Sequence, residues 1–266
     1  MENILSQYRK NATEGKVKKN IFLIVLSFLL RTSIFSFQHD HSLWGKTLDV
    51  FVKDQGKTTI VDYRSLKENS FLFEEYLEDL SGVTQDEFNG WEKEEQLAFL
   101  INAYNAFTVK LIIDNYPLKS IKDLGGLFSN PWKKKFFTLF GEKTYLDHIE
   151  HDLIRKKFKE PRIHAAVNCA SISCPKLSKR AYVAKNLEEQ LEEAMKEFMQ
   201  DENRNHLLKD KLYLSSIFKW YGRDFGEKEK EIKDFLWPYF NFKEEEKSLY
   251  NRARIKYLPY NWSLND

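Results

Sequence analysis

The chain has 266 residues, enough for one large domain or two small ones around a filled core. Its 42 basic and 40 acidic residues leave a formal net charge of +2, which excludes a globally basic nucleic-acid binder. Aromatic residues at 15% and only 10 glycines exclude a disordered chain.

At the start, Lys16, Lys18 and Lys19 precede the apolar run "IFLIVLSFLL" (21–30), followed by Arg31 and "SIFSF" (33–37). A basic stretch before a short apolar core reads as a secretory signal or, uncleaved, as a membrane anchor over residues 1–37. The run is shorter than the roughly 20 residues needed to span a bilayer. The expectation is an exported protein, periplasmic, secreted or tethered by this segment, with one globular domain over 42–266. His39 and His41, beside the signal, are expected at the surface, as is His206 in the polar "DENRNHLLKD".

Residues 42–68 read as a short helix leading into a small extended segment that turns at Gln55-Gly56. Phe71, Leu72, Tyr76, Leu77 and Leu80 fall at helical spacing, and "TQDEFNG" (84–90) reads as a loop. The strongest helix lies over 92–117, with acids crowding its first turn and apolar residues nearly all round from Leu97 to Ile113. Such a helix is buried, and Pro117 ends it. Asn102 and Asn105 interrupt its apolar surface. Buried amides must find partners, so these either brace a neighbouring loop or position a catalytic imidazole or oxyanion.

Further along, 133–146 reads as two short strands turning at Gly141, and 147–158 as a helix capped by Asp147 with Glu150 closing a capping box. "RIHAAVN" (162–168) reads as a buried strand, which would put His164 and Asn168 on one face and Cys169 on the other. An amphipathic helix follows over 186–199, and the last third is rich in Trp and Tyr. With no repeat and no linker, the fold class is α+β: a single, helix-rich domain mixing helices and sheet.

"HAAVNCASISCP" (164–175) concentrates the chemistry, because it holds Cys169 and Cys174, the only cysteines. Three readings stand. The pair closes a small disulfide loop, as export favours. One sulfur is a nucleophile, with His151 or His164 as base and Glu150, which also suits the capping box, as orienting acid. Or His148 and His151, at i and i+3, join His164 and a cysteine around zinc, although no established ligand spacing is present.

"INAYNAFTVKLI", "YPLKSIKDLG", "LDHIEH", "HAAVNCASISCP", "FKWYGRDFG" and "LPYNWSLND", in this order, resemble the DUF547 family, a domain of unknown function, over roughly 42–266. Members resembling this chain are often exported bacterial proteins, and plant members carry the domain behind a coiled coil. The family has been likened to cysteine proteases with a Cys-His-Glu set, which implies a papain-like or transglutaminase-like site. Carried over, the set is Cys169, His151 and Glu150. His164, Asn168, Ser171, Ser173, Cys174 and Pro175 match the rest of the cysteine motif, and Asn102 and Asn105 match "NAYNA". Two positions depart: Ala170 stands where the family usually has glycine, and His148 where it often has an acid.

The resulting expectation is a cysteine-dependent hydrolase or acyltransferase acting on a peptide, amide or thioester bond of a protein or peptide substrate, with no cofactor. Its alternatives are a non-catalytic binding domain with a Cys169–Cys174 disulfide and an aromatic recognition surface, and a zinc-dependent hydrolase.

Overall fold

Burial of the apolar run 97–113 organises the chain. The structure is a computed structural model that describes residues 36–126 and 129–266; the expected signal or anchor, apart from Ser36 and Phe37, lies outside the described residues. Residues 38–266 pack as one unit, an α+β fold of many helices and three small sheets.

Helix α1 (Ser42–Phe51) runs into strand β1 (Val52–Asp54), which pairs antiparallel with β2 (Thr59–Val61) around the turn expected at Gln55-Gly56. Helix α2 (Phe71–Gly82) covers α1, with Trp44 stacked on Tyr76 at 5.9 Å. The stretch expected as a loop at 84–90 instead holds a helical turn, Gln85–Asn89, because Thr84 accepts from the Glu87 amide and Phe88 is pulled into the core. Helix α3 (Lys93–Asn115) starts at a capping box between Glu92 and Glu95 and is buried from Leu97 to Val109 and again from Leu111 to Ile113. It is long and apolar enough to cross a membrane, yet nearly all of it is enclosed by the protein.

Strands β3 (Phe137–Leu139) and β4 (Glu142–Thr144) form the expected hairpin, turning at Phe140 and Gly141, both in the left-handed region. Helix α4 (Leu187–Met199) buries Leu187, Leu191, Met195, Phe198 and Met199 as its pattern predicts. That face packs into a second core with the sheet of β5 (His206–Leu208), β6 (Lys211–Leu214) and β7 (Arg254–Tyr257), in which β6 pairs antiparallel with β5 and parallel with β7.

None of the three histidines expected at the surface is fully exposed. His41 is buried with its Nδ1 2.7 Å from the Tyr76 hydroxyl. Burial, then the neighbouring His39, lowers its pKa to about 3. His206 is half-buried and stacks on Tyr213 at 4.8 Å. His39, also half-buried, meets Trp91 edge-on.

Candidate functional site

The segment expected as a capped α-helix at 147–158 is wound differently. Residues His148–Ile154 form a π-helix that continues into Arg155–Lys157. Asp147 has helical dihedrals and makes no side-chain cap, so the capping box does not form. Glu150 is buried instead, facing the hydroxyls of Tyr104 and Tyr221. Burial, and then this carboxylate, push both phenols far above their usual range. The wider winding sets His148 Nδ1 3.0 Å from Asp152, and His151 Nδ1 3.1 Å from Arg155 Nη1. Glu150 and His151, adjacent in sequence, come no closer than 4.0 Å. π-Helical turns recur at functional sites because they re-aim side chains at the cost of regular bonding.

Residues 162–168, expected as a strand, form instead a helical turn, Ile163–Ala166. No strand is adjacent to pair with them; the turn packs on α4 and buries Ile163, His164, Ala165 and Ala166. The strand-face assignment of His164, Asn168 and Cys169 therefore lapses. His164 Nε2 lies 2.7 Å from Asp224 Oδ2, and its ring stacks on Tyr221 at 4.1 Å. Asp224, on the short helix Gly222–Phe225, also accepts two bonds from Arg155, at 2.6 and 2.8 Å. Burial alone would raise the Asp224 pKa, but the bonds from His164 and Arg155 outweigh it and hold the carboxyl below the usual range. A carboxylate partner makes Nε2 the protonated nitrogen of a neutral His164 and leaves its lone pair on Nδ1. In His151 the reverse holds, since Nδ1 accepts from Arg155.

The cysteine loop is built from its backbone outward. The Asn105 side chain donates to Ala166 O at 3.0 Å and accepts from the Asn168 amide at 2.8 Å, fixing the entry. Asn168 accepts from the Ala170 amide and donates to Pro175 O, both at 2.8 Å, tying the two ends together. Ala170 has φ 58, the left-handed conformation that favours glycine, so the tight turn survives the departure from the family pattern. On the outer side, the Ile172 and Ser173 amides donate to Ser263 O and Asn261 O, and Ser173 Oγ accepts from the Asn261 amide. Arg204 donates to Ile172 O at 2.6 Å. Asn102 serves a different segment, exchanging two bonds with the Tyr182 backbone.

Cys169 and Cys174 sulfurs stand at bonding distance, 2.16 Å, so the pair is a disulfide, and no cysteine is free. The Tyr260 hydroxyl lies 3.2 and 3.3 Å from the two sulfurs, and Ser171 Oγ 3.3 and 3.5 Å. Burial raises the Tyr260 pKa to about 12 despite the Ser171 bond.

A cleft of about 700 Å³ opens over this disulfide. It brings Cys169, Cys174, Glu150, His151 and His164 into one lining, with Tyr104, Asp147, Tyr221 and Tyr260 and a group of tryptophans. Burial raises the Asp147 pKa, with His151 acting against it. Asn102, Asn105, Asn168, Ser171 and Ser173 are not among the lining residues: Asn105, Asn168 and Ser173 shape the cysteine loop behind it, Ser171 touches the sulfurs, and Asn102 braces Tyr182. Among the described residues no three His, Cys, Asp or Glu side chains converge as metal ligands would, and His148 is spent on Asp152. Sequence reasoning missed Asp224 and Arg155, although both sit in or beside segments that carry the resemblance. Sixty residues separate His164 from Asp224, and no local signal joins them.

A family model described as "Protein of unknown function, DUF547" matches residues 88–199, which include α3, the π-helix and the cysteine loop. No curated protein and no solved structure matches the chain.

Proposed function

The chain belongs to the DUF547 family, whose description names no activity, and we propose from the cleft that it is a cysteine-dependent hydrolase or acyltransferase acting on a peptide, amide or thioester bond. The observation that carries this is the shared lining: a sulfur pair, and an imidazole bonded to a carboxylate at 2.7 Å, open on one cleft. Nucleophile, base and orienting acid are the minimum for acyl transfer by a thiol. Cys169 is the nucleophile, His164 the base, and Asp224 takes the orienting role that sequence reasoning gave to Glu150. His151, whose Nδ1 already accepts from Arg155, is less suited to receive a proton.

The reaction starts from the reduced pair. A thiol or dithiol reductant supplies two electrons, opens the Cys169–Cys174 bond and is itself oxidised to a disulfide. The Cys169 proton passes to His164 Nδ1, and the thiolate adds to the carbonyl carbon. The tetrahedral oxyanion collapses, breaking the bond to the leaving group, which takes the proton from His164. Water, or an acceptor nucleophile, then attacks the thioester, gives its proton to the imidazole and regenerates the thiol. The chemistry is of the papain and transglutaminase kind. Export, read from residues 16–31, accords with a pair at rest as a disulfide. The substrate is a protein or peptide, no nucleic acid takes part, and the apolar N-terminal run, if uncleaved, serves as a tether.

The disulfide itself favours one competing reading, a non-catalytic binding domain in which it only shapes the loop. Mass spectrometry after iodoacetamide treatment separates the two. Without reductant, both readings give no labelled cysteine. After reduction, the thiol-enzyme reading expects Cys169 to label faster than Cys174 near pH 6, and Asp224→Asn to slow that labelling at least about tenfold. Two cysteines that label slowly and alike, unaffected by Asp224→Asn, would leave the binding-domain reading standing.

A further inference from the structure

The cleft lining divides into two groups. One is charged: Asp147, Glu150, His151 and His164, with Tyr104 and Tyr221. The other is aromatic: Trp132, Trp220, Tyr260 and Trp262, with Lys122. The aromatic group is one connected shelf with Trp262 at its centre. Trp262 lies 4.5 Å from Tyr260, 5.5 Å from Trp132 and 5.6 Å from Trp220, ring centre to ring centre. Trp220 contacts Tyr260 at 4.9 Å and is 46% exposed. Tyr260 joins the shelf to the chemistry, because its hydroxyl touches both sulfurs.

We propose that this shelf is a subsite for an aromatic residue carrying a free carboxylate, as at the C-terminus of a peptide. Ring tilts decide the first half. The four contacts are inclined at 28° to 69°, so the shelf is a corner showing both faces and edges. An incoming aromatic ring finds offset and edge-to-face partners there together. Charge decides the second half. Lys122 Nζ lies 4.2 Å from the Trp262 ring centre and is the only lysine or arginine among the described lining residues. It already occupies the cation site of that ring, so it repels a cationic ligand and pairs with an anionic one. A carboxylate held at Lys122, with its side chain on the shelf, directs the preceding amide toward Tyr260 and the sulfur pair. The ligand class stands on the shelf alone; its role as part of a substrate rests on the acyl-transfer reading above.

The test is a titration of the oxidised protein with N-acetylphenylalanine, read by its own tryptophan fluorescence, which needs no thiol chemistry. Saturable binding is expected, weaker by about fivefold for N-acetylphenylalanine amide and by about tenfold for N-acetylalanine. Lys122→Met should abolish the preference for the acid over the amide. Trp220→Ala, which removes an exposed side chain, should weaken binding about tenfold, and Trp220→Phe should restore most of it. Equal binding of acid and amide, tighter binding of phenethylamine, or no loss in Trp220→Ala would overturn the subsite. Binding as expected, with a reduced Cys169 that never reacts, would keep the subsite and remove the acyl-transfer reading. A reactive Cys169 without binding would do the opposite.

Discussion

Helix α3 and the π-helix at 148–154 are neighbours that use the same backbone for opposite ends. Helix α3 keeps regular winding over 23 residues, is buried on nearly every side, and offers as its buried polar groups two amides, a threonine and the Tyr104 phenol. The π-helix is seven residues long, is followed by the exposed Lys156 and Lys157, and carries Glu150 and His151 into the cleft. One helix supplies apolar area, which is tolerant of how each side chain is aimed. The other supplies direction, for which regular bonding is given up. The two meet through Tyr104, which α3 contributes to the face of Glu150.

The contrast can be broken at either side. Leu100→Ala, in the fully buried stretch of α3, should cost about 3 kcal/mol in denaturant unfolding while leaving Cys169 labelling after reduction unchanged. Asn105→Ala, one turn further on, should cost about 2 kcal/mol, because it strands the Ala166 carbonyl and the Asn168 amide. Unlike the leucine variant, it should also alter the labelling of both cysteines. If the two variants affected labelling alike, α3 would not be the passive partner described here.

A smaller effect concerns Arg155, where the π-helix reaches Asp224. The folded pKa of Asp224 is depressed, so its contribution is complete above the ordinary carboxylate value near 3.9 and is lost as pH falls below it. Arg155→Met should remove about 1 kcal/mol at neutral pH. It should also flatten the acid limb of the stability profile, since less is left to lose. An acid limb identical to that of the unaltered protein would show that Arg155 does not hold Asp224 ionised. The smallest effect is at Ala170. Relief of left-handed strain and loss of chain stiffness nearly cancel, so Ala170→Gly should stay within about 0.5 kcal/mol of the parent. Ala170→Val should cost more than about 2 kcal/mol.

These regions also differ in how far a sequence exposes them. A long apolar run opened by a capping box, as in α3, or a repeating apolar pattern, as in α4, is a long-range average and survives local irregularity. The four residues of Ile163–Ala166 are too few for any period to register, and their apolar content fits a buried strand equally well. The turn that Thr84 caps is only five residues long, likewise too short for a period to register. Of the residues singled out in the sequence, Cys169, Cys174, Glu150, His151 and His164 share one cleft lining. The pairings in the site were not legible there, because they join segments far apart in the chain. Winding is likewise invisible: "DHIEHDLI" carries nothing that separates a π-turn from an α-turn, and that turn decides where Glu150 points.

The bond network around Tyr260 has a meaning in time as well as space. Tyr260 lies 86 residues beyond Cys174, so at a synthesis rate of roughly 5–20 residues per second the two thiols emerge several seconds before the side chain that covers them. During that interval the pair stands without Tyr260, Trp262 or the rest of the shelf around it. The cover over the sulfurs is thus the last part of the cleft to be made, added to a loop whose two cysteines are already in the chain.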